Sequence, residues 1–104
     1  MADFATRIMQ AATDLANAVS KEMALEDNRH NVKLGAIERI MASGDNKLTG
    51  KPHSFSSAES MVSTDGTYAD YLEQLRSATR DRILAKGAYD AAIAASRLQE
   101  ALNA

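Results

Sequence analysis

The segment from Gly44 to Lys51 is the part of this chain that comes closest to a phosphate-binding loop. Such a loop has two glycines separated by four residues, then Lys, then Ser or Thr, so that backbone amides hold the phosphates and the hydroxyl holds magnesium. Here five residues separate Gly44 from Gly50, and Pro52 stands where the hydroxyl would be. The spacing therefore argues against nucleotide binding.

Metal chemistry and nucleophilic catalysis have no better support in the sequence. The two histidines, His30 and His53, are 23 residues apart and lack the spacing to Asp, Glu or Cys that recurs in metal sites. Cysteine is absent, and no Gly-x-Ser-x-Gly turn is present to expose an activated serine. We therefore expect no metal, no cofactor and no enzymatic activity.

The sequence has one dense group of cations, in which Asp81 is the only acid. On a helix its members fall on two neighbouring stripes, a spacing that can follow a phosphate backbone. Alternatively they form a solvated face, or they pair with acids of another helix such as Asp14, Glu22 or Glu26. The net charge of −2 favours pairing, and nucleic-acid contact stays open as the alternative. The basic cluster consists of Arg76, Arg80, Arg82 and Lys86.

Two long segments have the apolar spacing of helices and must position these residues. From about residue 3 to 42, apolar residues recur at intervals of three and four, except in the polar stretch Glu26–Asn31. That stretch is either a wetter turn of one continuous helix or a break between two helices, and the lack of a strong helix breaker favours the continuous helix. A second helical pattern covers about 67–102. It ends in a run at heptad spacing: Leu84, Ala88, Ala91, Ala95, Leu98 and Leu102.

The composition favours helix over any other element. Alanine, the best helix former, outnumbers Leu, Ile, Val and Phe together, and there is one Pro in 104 residues. A chain of this length forms at most one small domain. No apolar run approaches the roughly 20 residues that span a bilayer, and Met1–Gln10 lacks the apolar stretch of a signal peptide. We therefore expect a cytoplasmic protein that does not bind membranes.

The connection between the helices, about residues 43–66, contains the most distinctive stretch of the chain, Asn46–Glu59. Ser56 and Glu59 have the spacing of a capping box, which predicts that Ser56 caps a short helix. The stretch is either a well-capped connector or a binding loop. The candidate contact residues of a binding loop are Lys47, Lys51, His53 and Phe55.

The string T-G-K-P-H-S, from Thr49 to Ser54, resembles a loop in small uncharacterised helical accessory proteins of tailed bacteriophages and prophages, where it precedes a long final helix. The resemblance covers roughly Asn46 to Ser96. It implies an accessory protein of the phage early region, with a role in DNA recombination or replication. The expected location is then the cytoplasm of the host cell.

Together these patterns predict an all-α fold, a hairpin of two long antiparallel helices with a short helix in the connecting loop. Each helix of a hairpin is covered on one side only, so apolar residues off the main stripes need a partner, and a dimeric bundle supplies it. We expect a non-enzymatic, oligomeric interaction protein that binds another protein, with a nucleic-acid-binding accessory factor as the alternative. The predicted self-association residues are Val32, Ala36, Ile40, Tyr89, Ala92 and Ile93.

Overall fold

The computed structural model describes residues 3–46 and 48–103, and it is 84% helical. No strand occurs in these two ranges, which confirms the predicted all-α class. The only extended pairing found there is an isolated antiparallel bridge between Asp45 and Pro52. In chain order the elements are α1 (Phe4–Asp27), α2 (Arg29–Ala42), α3 (Phe55–Glu59), a 3-10 helix (Val62–Thr64) and α4 (Gly66–Asn103).

The first helical segment is interrupted at one residue, Asn28, inside the polar stretch where a break was considered. Asn28 keeps right-handed helical dihedral angles (φ −87°, ψ −2°), and its amide donates to the carbonyl of Leu25 (3.2 Å). The same carbonyl accepts the hydroxyl of Tyr71. The segment is therefore neither one uninterrupted helix nor two helices separated by a loop, because helix resumes at Arg29.

The chain forms two compact units. The terminal unit contains the described residues up to Ala24 and those from Arg76 onward, and the central unit contains residues 25–75. Each unit has its own contacts, and the candidate site residues divide between them.

In the central unit, α2 packs against α3 and the 3-10 helix. Ile37 and Ile40 of α2 form a buried cluster with Ala58 of α3, and Leu34 and Val62 pack against this cluster; Ala36 of α2 is also fully buried. Ala36 and Ile40 were predicted from the sequence to contact a second copy because they lie off the main apolar stripe. The reason given for that prediction was wrong, since both residues are already buried within the chain. Ile40 is covered by the short helices of the connection and Ala36 is fully buried within the chain, so neither needs a partner from outside. Val32 is half-buried.

The cap of α3 also differs from the prediction. Ser54, not Ser56, is the N-cap residue, and its Oγ accepts from the amide of Ser57 (3.1 Å). The backbone of Ser54 is extended (φ −76°, ψ 165°), as an N-cap requires, and the helix already begins at Phe55. Glu59 therefore lies at the end of α3, where its carboxylate pairs with Lys33 of α2 (3.7 Å).

Helices α1 and α4 begin at acidic caps. Asp3 Oδ1 accepts from the amide of Thr6 (2.7 Å), which lowers the pKa of the Asp3 carboxyl. Asp65 Oδ2 accepts from the amide of Tyr68 (2.9 Å) at the start of α4. In both cases a side-chain oxygen satisfies an amide that the first helical turn leaves without a partner.

The terminal unit has very little buried core. No residue of α1 is buried, and Ala78 is the only residue of α4 between Arg76 and Asn103 that is. Met9 and Met23 of α1 are 71% and 58% exposed, so even large apolar side chains remain in solvent. This unit buries its apolar residues much less completely than the central unit does.

Candidate functional site

The basic cluster holds an ion pair within the terminal unit. Arg82 of α4 donates from Nε to Oε1 of Glu22 in α1 at 2.7 Å, and both side chains are partly shielded from solvent. The hydroxyl of Thr79 is a further donor to Glu22 and the larger cause of a lowered Glu22 pKa, ahead of Arg82. Glu22 is one of the acids proposed from sequence as a partner for these arginines.

The other cations of the cluster differ from Arg82 in their partners. Lys86 pairs with Asp90 on the same helix (2.6 Å), and its ammonium lies 6.0 Å from the ring centroid of Tyr89. Arg76 has an interaction partner as well, whereas Arg80 is exposed. At least two of the four cations are therefore neutralised by acids of the chain itself.

The predicted binding loop is an organised turn. The amide of Asn46 donates to the carbonyl of Lys51 (2.8 Å), and the amide of Gly50 donates back to the carbonyl of Asn46 (2.7 Å). Gly50 has φ +69°, a left-handed conformation that glycine adopts without strain. Leu48, at the tip of the turn, is 96% exposed.

A small polar network ties this turn to α3. Ser57 Oγ accepts from the side-chain amide of Asn46 (3.0 Å) and lies 3.2 Å from Nδ1 of His53. His53 is thus a half-buried member of the turn. Among the other predicted loop contacts, Lys51 and Phe55 are exposed, whereas Lys47 lies outside the described residues.

A seam of partly buried positions runs along each helix of the terminal unit, at alternating intervals of three and four. Its members are half-buried except for Ala78, which is buried. Tyr89 and Ala92 belong to it, so the structure places both among the partly covered residues, and their role in self-association stays a prediction. Ile93, beside them, is half-buried too. The seam consists of Phe4, Ile8, Ala11, Leu15, Ala18 and Glu22 in α1, and of Ala78, Arg82, Ala85, Tyr89, Ala92 and Ser96 in α4.

The heptad run of the last helix is not part of this seam. All six of its residues are exposed, and its leucines are among the most exposed apolar side chains described, with Leu84 at 64%, Leu98 at 61% and Leu102 at 72%. We call this set the α4 outer stripe: Leu84, Ala88, Ala91, Ala95, Leu98 and Leu102.

Helix α1 carries a comparable but weaker stripe. Its residues are again three and four apart, and its large members are two methionines and Val19, which is half-buried. We call it the α1 outer stripe: Ala5, Met9, Ala12, Ala16, Val19 and Met23.

One open groove lies between the two helices of the terminal unit. Three alanines from both helices line it, namely Ala11, Ala88 and Ala92. Ala88 belongs to the α4 outer stripe, so the groove and the stripe form one continuous surface. The polar residues that line the groove all come from α1: Thr6, Arg7, Gln10 and Asp14.

Within residues 3–46 and 48–103, no group of three or more His, Asp or Glu side chains is close enough to hold a metal ion. No helix in those ranges is long and apolar enough to cross a membrane. Comparison of the chain with protein families, curated proteins and solved structures found no match.

Proposed function

We propose that this chain is a non-enzymatic helical interaction protein that self-associates and acts by binding another protein, as a phage-type accessory or inhibitor protein in the host cytoplasm. The observation that carries the proposal is the exposure of the α4 outer stripe. Contiguous exposed apolar surface on a small protein marks an interaction site more often than it marks ordinary solvent-facing surface.

The contacts of the terminal unit support the antiparallel hairpin on which this proposal builds. Glu22, near the end of α1, pairs with Arg82 in the middle of α4. Arg7 and Gln10, near the start of α1, share a groove with Ala92, further along α4. The order of contacts in α1 is thus reversed in α4, as expected for antiparallel helices with one side of each left uncovered.

The polar groups of the site favour protein binding over nucleic-acid binding or catalysis. Arg82 and Lys86 are held by Glu22 and Asp90, so contact with phosphate would first have to displace a carboxylate. His53 is occupied in the network around Ser57. The resemblance of the Thr49–Ser54 string supports the phage origin, and it is the only support for that part of the proposal.

Sedimentation equilibrium across the micromolar range tests self-association directly. We expect a mass of at least twice 11.2 kDa that falls on dilution. Affinity capture from the native host cell, with an outer-stripe variant as the control bait, then tests for a protein partner. A monomer at all concentrations, together with no protein retained above the control, would rule the proposal out.

A further inference from the structure

We infer that the hydroxyl of Tyr71 holds the first helical segment in its interrupted form, and that release of this hydroxyl lets α1 and α2 join into one continuous helix. The contact therefore acts as a latch that α4 applies to the carbonyl of Leu25. The inference concerns the central unit and does not depend on what the outer stripes bind. It rests on the hydrogen bonds of Leu25, the dihedral angles of Asn28 and the exposure of the residues around them.

The carbonyl of Leu25 has an unusual pair of donors. In a continuous α-helix it would accept from the amide of Arg29, four residues further on. Instead it accepts from the amide of Asn28, three residues on (3.2 Å), and from the hydroxyl of Tyr71. A side chain that inserts into the ladder of helical hydrogen bonds is an established cause of helix irregularity. The hydroxyl of Tyr71 is therefore the group that competes with the amide of Arg29 for this carbonyl.

The interruption at Asn28 is a small departure from regular helix. Asn28 has φ −87° and ψ −2°, and helix resumes at the next residue. A regular α-helix has φ of about −63° and ψ of about −42°, so rotations of roughly 25° and 40° at this residue restore the regular values. The interrupted and continuous forms are thus close in conformation, and a single hydrogen bond is enough to select between them.

Other causes of an interruption have little support at this place. All six residues of the polar stretch Glu26–Asn31 are exposed, so packing against other elements does not bend the chain there. None of the six is Pro or Gly. Asn28 makes no side-chain capping bond to α2, and the modest helix propensity of Asn is readily overridden by its surroundings. The bond from Tyr71 remains as the contact from outside the segment that acts on its backbone.

Tyr71 is well placed to act as a latch. Its side chain is buried, and its ring is stacked on that of Tyr68, with the ring centroids 6.2 Å apart. Burial raises the pKa of the Tyr71 hydroxyl above its ordinary value, and the carboxylate of Glu26 raises it further. The hydroxyl therefore keeps its proton at neutral pH and remains a donor, so the latch is engaged under ordinary conditions.

Hydrogen exchange of single amides, followed by NMR in the full chain, tests the latch. Arg29, His30 and Asn31 are the first residues of α2 and have no acceptor within that helix, so their amides should exchange fast in the wild type. In Tyr71→Phe the ring remains but the hydroxyl is lost, and the ladder closes across Asn28. We expect exchange at these three amides to slow by about tenfold or more. Loss of a buried hydrogen bond speeds exchange elsewhere, so slowing confined to these amides reports the continuous helix.

Two variants complete the experiment. Tyr68→Phe removes the hydroxyl of the neighbouring ring and should leave the exchange rates at the start of α2 unchanged. Asn28→Ala tests the competing cause, and we expect these amides to stay fast because Tyr71 still bonds to Leu25. Unchanged rates in Tyr71→Phe, or slow exchange at Arg29 already in the wild type, would overturn the inference. Equal slowing in Asn28→Ala and Tyr71→Phe would overturn it too, since the interruption would then come from Asn28.

Discussion

Arg39 of α2 donates two hydrogen bonds to Asp65, the residue that precedes α4, with Nε to Oδ1 at 2.9 Å and Nη2 to Oδ2 at 2.7 Å. The same carboxylate caps α4 through the amide of Tyr68. One side chain thus connects α2 to the start of the last helix. The bonds from Arg39, and then that from Tyr68, lower the pKa of Asp65 to about 2.

This pair predicts a pH dependence of stability. The folded pKa of Asp65, about 2, lies below its ordinary value of 3.8, so the carboxylate contributes its full stabilisation above about pH 4. The contribution is lost as the pH falls through 4 towards 2. In Asp65→Asn the cap is retained, because Asn caps helices as well as Asp does, but the ion pair is removed. We expect the variant to melt below the wild type at pH 6, and the difference to narrow towards pH 2.

Thermal unfolding of both proteins between pH 6 and pH 2 measures this difference. Other carboxylates also take up protons over this range, in both proteins, and comparison of the wild type with the variant cancels their effect. Arg39→Gln serves as the matched control from the other side of the pair, and its melting curves should show the same narrowing. Melting temperatures that stay parallel over the whole range would contradict the assignment.

The bond between Tyr71 and Leu25 predicts a local cost for removing one hydroxyl. Tyr71 is buried, and its hydroxyl donates to the carbonyl of Leu25 just before the interruption at Asn28. In Tyr71→Phe that carbonyl loses a donor, which should lower the free energy of unfolding by about 1 kcal/mol. Urea denaturation measures the loss. Tyr68→Phe is the control, because the ring of Tyr68 is half-buried and stacked on Tyr71. This substitution should lower the free energy of unfolding by less than Tyr71→Phe does.

The α4 outer stripe predicts that a single charge near its centre dissociates the assembly. In Ala91→Glu a carboxylate is placed in the middle of the exposed stripe, and burial of an unpaired charge in a contact with another chain is costly. The helix itself should persist, since Glu is a good helix former. We expect sedimentation to show monomer at concentrations where the wild type is oligomeric, with little change in the circular dichroism.

Two variants control this experiment. Ala69→Glu adds the same charge at an exposed position of the same helix, outside the stripe, and should leave the assembly intact. Ala12→Glu places it on the α1 outer stripe and should also leave the mass unchanged. Dissociation by Ala12→Glu but not by Ala91→Glu would move the contact between copies to α1.

The all-α class was predictable because it depends on local properties, namely the abundance of alanine, the scarcity of proline and the three-four spacing. Which side of each helix is partly buried and which side is exposed could not be predicted in this way. Sequence reasoning assigned Tyr89 and Ala92 to a free face, but in α4 the partly buried seam contains Arg82 and Tyr89, while Leu84 and Leu98 are exposed. Polarity alone does not identify a seam in which an arginine pairs with Glu22.

A second signal in the sequence would have identified the outer stripe. The confinement of Lys86, Asp90, Arg97 and Glu100 to one sector of α4 is visible without coordinates. The spacing does not predict the burial of Ile40, because that burial depends on where α3 and the 3-10 helix fold back on α2. That placement is set by contacts between residues far apart in the chain.

The basic cluster supplies the last prediction, since Arg80 and Arg82 differ in one respect that separates the two functional hypotheses. Arg82 is paired with Glu22, whereas Arg80 is exposed. If the cluster serves the structure, Arg82→Glu should lower the melting temperature by a few degrees and Arg80→Glu should change it little, because exposed positions contribute little to stability. If it serves a nucleic acid, both substitutions should weaken binding to a similar extent without a matching change in stability.

We expect the first pattern, together with no tight, salt-sensitive binding of duplex DNA by the wild type. Melting curves and a DNA shift assay at two salt concentrations decide between them, and DNA binding lost in both variants would favour the nucleic-acid hypothesis.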